Sequence, residues 1–96
     1  MIIDVLHFRL ASGVDEEEWL AQDRLAQTDF AYQQPGLLRR TTARGEGGSW
    51  AVITQWRSAV DADAAMAKAG QDPGMLRIMS MIEPGSSSTE RYEPLG

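Results

Sequence analysis

Apolar positions follow two spacings along this chain, and each change of spacing marks a change of element. Residues Ile2 to Leu10 are rich in Ile, Val, Leu and Phe and end at Ser12-Gly13, which predicts a first strand. Ile2, Leu6, Phe8 and Leu10 fall on one side and Ile3, Val5, His7 and Arg9 on the other, so neither face is cleanly polar. Asp15 followed by Glu18 reads as an N-cap with a capping-box-like acid, and Glu16 and Glu17 add negative charge beside the positive helix end. Trp19, Leu20, Ala26 and Phe30 then recur at helical spacing, with Asp23 and Gln27 on or beside the stripe, until Pro35-Gly36 stops the run.

Leu37 to Arg44 and Ser49 to Arg57 are extended segments joined by Gly45-Glu46-Gly47-Gly48, whose glycines allow the positive φ angles of a hairpin turn. In the second, Trp50, Val52, Thr54 and Trp56 share a face opposite Ala51, Ile53, Gln55 and Arg57, as expected of a central strand. Ser58 caps a second, small-faced helix through about Ala69, and Asp72-Pro73 opens another helical piece with Met75, Leu76, Met79 and Ile82 as its stripe. After the polar Ser86-Ser87-Ser88 connection, Thr89 to Leu95 alternates weakly and predicts a last, edge strand. The order is strand, helix, strand, strand, helix in two pieces, strand. This predicts an α+β, ferredoxin-like βαββαβ domain over residues 1–96, with a four-stranded antiparallel sheet in the order 4-1-3-2.

Both helical layers of that arrangement pack on one side of the sheet. Apolar residues of both parities in the first and third strands therefore predict a second copy of the chain on the other side, a homodimer. A chain of 96 residues with 43% apolar and 24% charged positions has one small core and no cysteine with which to staple it. The net charge of −5 excludes a nucleic-acid or anionic-membrane surface, leaving small molecules and proteins as partners. No apolar run approaches the roughly 18 residues of a membrane span, and no basic region precedes the first apolar residues, so a cytoplasmic protein is expected.

The candidate chemistry is sparse. His7 is the lone histidine; it suits a general base or a haem ligand, but a packed or interface imidazole is the simpler account. With no second His and no Cys, a metal site is not expected. Trp19, Phe30, Trp50 and Trp56 either fill the core or wall a cavity for a flat aromatic ligand, and Trp56 is the best wall because it ends a central strand beside a turn. Asp23, near an apolar helical face, needs a partner such as Arg39 or Arg40. Beside a cavity, Asp23 could take a proton while Arg40 stabilised an oxyanion. Met66, Met75, Met79 and Met81 fill gaps in a core or form an adaptable binding wall. Gly45 to Gly48 is a turn and not a phosphate loop, since no Gly-Lys-Ser/Thr follows.

Four stretches carry a resemblance to a known family: the opening strand with Phe8 before Gly13, Gln34-Pro35-Gly36-Leu37-Leu38-Arg39-Arg40, Trp50 through Ser58, and Arg91-Tyr92-Glu93-Pro94. Over nearly its whole length the chain resembles the antibiotic biosynthesis monooxygenases of the dimeric α+β barrel superfamily. The resemblance implies two facing sheets in a homodimer, a pocket in each subunit between sheet and helices, and oxygenation without metal, flavin or other cofactor. Its implied substrate is a small aromatic, quinol or polyketide-like molecule; by the reading of the residues above, Trp56, Phe30, Trp19, Trp50 and Met79 are the candidates to bind it, and Asp23, Arg40 and His7 the candidates for catalysis. Haem-degrading relatives use an asparagine on the first strand and a histidine in the second helical region. This chain has no Asn and no His after His7, so that scheme is disfavoured. The alternative reading is a non-catalytic small-molecule-binding or regulatory dimer.

Overall fold

A computed structural model describes residues 1–96. In chain order the elements are β1 (Ile2–Arg9), α1 (Glu16–Asp29), β2 (Leu37–Arg44), β3 (Ser49–Trp56), α2 (Ala59–Ala69), α3 (Pro73–Ser80) and β4 (Ser88–Tyr92). The strands form one antiparallel sheet ordered β2-β3-β1-β4, which is 4-1-3-2 read from the other edge. Each helix starts on its expected cap: Asp15, Ser58 and Asp72 accept from the backbone N–H of Glu18, Asp61 and Met75 respectively. Gly47 and Gly48 take the positive φ angles, 64° and 81°, that close the β2–β3 connection.

Three boundaries differ from the sequence pattern, each for a tertiary reason. Helix α1 stops at Asp29 rather than at Pro35, because Phe30 leaves the helical region (φ −124°) as its ring becomes buried and a 3-10 turn over Ala31–Gln33 follows. Helix α3 stops at Ser80, since Ile82 bridges to Leu10 and the Glu83 N–H donates to the Arg9 carbonyl at 2.8 Å. Strand β4 ends at Tyr92, opposite Ile3, where its neighbour β1 runs out.

Every buried strand residue points to the same side: Asp4, Phe8, Arg40, Trp50, Val52 and Trp56. The opposite side carries Ile3, Val5, Ala51, Ile53 and Ala43, only half-buried, together with exposed His7 and Arg39. On the helical side the core is divided. Trp19, fully buried, lies between Phe8 and Trp50 at ring-centroid distances of 5.3 and 4.9 Å and anchors one cluster with Val52. Trp56, Ala62 and Ala65 form the other. A small domain ordinarily has one contiguous core. Here α2 faces the sheet with Ala62, Ala65 and Ala69, side chains too short to reach across and fuse the clusters. The space they leave is the cavity described next.

Candidate functional site

A cavity of about 340 Å³ separates the two clusters, within the size range of small-molecule pockets. Its floor is the sheet, with Leu6, Val52, Thr54 and Trp56; α2 and α3 supply Ala65, Ala69, Met75 and Met79; Phe30 and Ala31 close the end beyond α1. Twelve of its 17 lining residues are hydrophobic, so the occupant must present mostly apolar surface. The rim is adaptable, because Met66 and Met79 are about half exposed while lining it.

Of the residues singled out from the sequence, Trp56, Phe30, Met79 and Arg40 line this cavity. Trp19 and Trp50 do not: both are core residues of the first cluster, and Trp50 reaches only a shallow recess beside Arg44. His7 lies on the other side of the sheet, exposed, opposite Ala51 and Ser88. Asp23 is not in the lining. It stands behind Arg40, accepting from Nη2 at 2.7 Å and from the Thr42 hydroxyl at 2.7 Å, with both side chains of the pair almost fully buried. Asp23 thus positions Arg40, and a role for it as a base that touches ligand is not what this geometry provides. The Arg40 Nη1 donates to Gln27 Oε1 at 3.3 Å and Thr42 Oγ1 at 3.4 Å, and the Arg40 backbone N–H donates to the Tyr32 hydroxyl at 3.1 Å. Nε and the second Nη2 hydrogen have no partner within the chain. A guanidinium clamped from behind, with free donors, is suited to holding an oxyanion.

Sequence reasoning missed the cavity's carboxylate. Asp4 is 6% exposed, lines the cavity, and is held bidentately by Arg91 of β4, Nε to Oδ1 at 2.7 Å and Nη2 to Oδ2 at 3.1 Å. Arg91 also donates to Asp63 of α2 at 2.9 Å. Its hydrogen bonds to Asp4, and next to Asp63, raise its pKa above the ordinary arginine value, so the clamp stays charged. The available signal was parity: Asp4 is the one acid in the row Ile2, Leu6, Phe8 that the alternation assigns to the inner face. Ser87, just before β4, and Thr89 within it add hydroxyls at the cavity's edge.

No family sequence model matches the chain, and no curated protein matches it in sequence. Solved structures do. The chain is similar to SnoaB, a cofactor-independent oxygenase from Streptomyces nogalater, with 20% identity and a TM-score of 0.74 over 99% of this chain and 93% of that one. It is also similar to the ActVA-Orf6 monooxygenase of Streptomyces coelicolor, in complex with nanaomycin D, with 16% identity and a TM-score of 0.73 over 99% and 88% of the two chains. Rv0793 from Mycobacterium tuberculosis matches with 12% identity and a TM-score of 0.72 over 99% and 95%. The fold is therefore that of the antibiotic biosynthesis monooxygenases, an α+β, ferredoxin-like four-stranded sheet. No helix is long and apolar enough to cross a membrane.

Proposed function

We propose that the protein is a cofactor-independent monooxygenase acting on a small hydroxylated aromatic or quinol-like molecule bound between sheet and helices. The observation that carries this reading is the cavity itself, apolar on nearly every side, with the Trp56 ring on one wall and the free donors of buried Arg40 on another. Such a site holds a flat ring, sheds water as the ring fills it, and stabilises negative charge at one fixed point. An electron-rich phenol or quinol that loses a proton there becomes a delocalised anion able to reduce dioxygen directly. In an anthrone-type substrate, the keto form of such a phenol, dioxygen bonds to the ring CH2 carbon to give a hydroperoxide; its O–O bond then breaks, one oxygen staying on that carbon as a carbonyl and the other leaving as water with the carbon's two hydrogens. The likeness in fold to a cofactor-independent oxygenase supports the same chemistry. The same reading makes the chain one half of a homodimer, with Val5 and Ile53, cross-strand partners on the uncovered face of the sheet, at its interface.

The test is dioxygen uptake with a panel of quinols and anthrones, measured against the protein-free rate. Turnover above background, lowered at least about tenfold in Trp56→Leu and in Arg40→Met, is the expected result. Uptake no faster than without protein for the whole panel would sink the oxygenase reading. Retained binding of those compounds would then favour a non-catalytic binding dimer.

A further inference from the structure

The strand register places three polar groups of the cavity on one line. Arg40 of β2 is paired with Thr54 of β3, Thr54 with Asp4 of β1, and Asp4 with Arg91 of β4. All four point to the helical side, and the first three line the cavity. The row thus runs cation, hydroxyl, anion across an otherwise apolar floor, and each end is locked from outside: Arg40 by Asp23, Asp4 by Arg91. Thr54 turns its hydroxyl toward β1, donating to the Asp4 carbonyl at 3.4 Å. Neighbouring strands lie about 4.8 Å apart, so the backbones carrying Arg40 and Asp4 are separated by about 10 Å.

The two ends ask for different atoms. Arg40 offers only N–H donors and requires an acceptor oxygen. The Asp4 carboxylate offers only acceptors, and each oxygen keeps lone-pair capacity beyond its one bond to Arg91. We infer that this row selects an aromatic ligand with oxygen atoms on opposite edges, an acceptor oxygen held by Arg40 and a hydroxyl donating to Asp4. This rests on the functional reading above and narrows it, since a ring system oxygenated on one edge alone leaves one charged end of the row unanswered. In a conjugated ligand so placed, the Asp4 carboxylate accepts a hydrogen bond from the hydroxyl while the Arg40 guanidinium draws electron density through the rings to the oxygen it holds. One row thus both orients the molecule and polarises it along its length.

Three naphthalenes test it by calorimetric titration: 6-methoxy-2-naphthol, with oxygen on both edges; 2-methoxynaphthalene, lacking the hydroxyl; and 2-naphthol, lacking the second acceptor. A hydroxyl carried into an apolar cavity without a partner weakens binding, so a gain in affinity on adding it reports a waiting acceptor. The expected result is that 6-methoxy-2-naphthol binds at least about tenfold tighter than 2-methoxynaphthalene, and that most of the difference is lost in Asp4→Asn, whose carbonyl is a neutral and weaker acceptor. Should Asp4→Asn fail to fold, the ratio in the parent protein decides alone. If the compounds bind and the hydroxyl adds nothing, the row is overturned while the oxygenase reading, judged by dioxygen uptake, still stands. If none binds to folded protein, the row is likewise overturned, and the oxygenase reading is again judged by dioxygen uptake.

Discussion

Removing one member of the Asp23–Arg40 pair leaves a buried charge with no counter-ion, and the structure is explicit about what remains. In Asp23→Leu the Arg40 guanidinium, its side chain 5% exposed, loses its 2.7 Å carboxylate partner and keeps only the longer bonds to Gln27 and Thr42. In Arg40→Met the Asp23 carboxylate keeps only the Thr42 hydroxyl. Breaking a buried pair from one side costs about 3–5 kcal/mol. The double variant removes both charges and keeps apolar volume. It leaves only Gln27 and Thr42 short of a partner, worth about 1 kcal/mol each, so its cost should be about 2 kcal/mol. The two single changes together would cost about 6–10 kcal/mol if they were independent. The coupling is therefore at least about 4 kcal/mol. A chain of 96 residues has about 5–14 kcal/mol of stability in total. Urea unfolding followed by tryptophan fluorescence at one fixed protein concentration gives all four values, provided the slope with denaturant stays constant across the set. Single variants within about 1 kcal/mol of the parent, or a double variant whose cost is the sum of the two, would refute the claim that Asp23 is there to hold Arg40.

Two further outcomes follow from other parts of the fold. Gly36 has φ +84°, and a Cβ added there would sit 2.3 Å from Asp61 Oδ2, so Gly36→Ala should destabilise the fold by about 2–4 kcal/mol in the same urea assay. A change under 0.5 kcal/mol would show that the turn before β2 is free to relax. On the uncovered face, Ile53→Glu should convert a dimer to a monomer in sedimentation velocity while far-ultraviolet dichroism is unchanged, because Ile53 touches neither cluster on the helical side. A parent protein already monomeric at micromolar concentration would refute the two-sheet arrangement.

The fold was readable because its punctuation is local. Asp15, Ser58 and Asp72 announce three helix starts through side-chain bonds spanning three residues, and Gly47-Gly48 and Pro35-Gly36 mark turns by the φ angles they allow. Strand order followed from handedness and a short connection, without knowledge of any side-chain contact. The site was less readable, because periodicity tells which face a residue occupies but not whether that face meets a neighbour or a void. Trp50 and Trp56 share the inward parity of β3 and Trp19 lies on the apolar stripe of α1, yet Trp19 and Trp50 interlock with Phe8 while Trp56 borders the cavity. What distinguishes them lies across the gap, in the alanines of α2.

That contrast locates the origin of the cavity in the least conspicuous residues of the sequence. Were Ala65 and Ala69 leucines, the two apolar clusters would meet over Val52 and Leu6, and the sheet would be sealed by an ordinary core. Sealing it would bury Asp4 and Arg40 against hydrocarbon with lone pairs and donors unanswered, a penalty that good packing rarely outweighs. The small residues of α2 and the charged pair on the floor are therefore two halves of one feature. Alanines open the space, and the ends of the polar row make its filling by apolar side chains unfavourable. Each charge is in turn anchored outside the cavity, by Asp23 or by Arg91 with Asp63, which lets it face an apolar chamber without collapsing onto the other. A chamber built this way gains most from an occupant that is apolar across its middle and polar at its two edges.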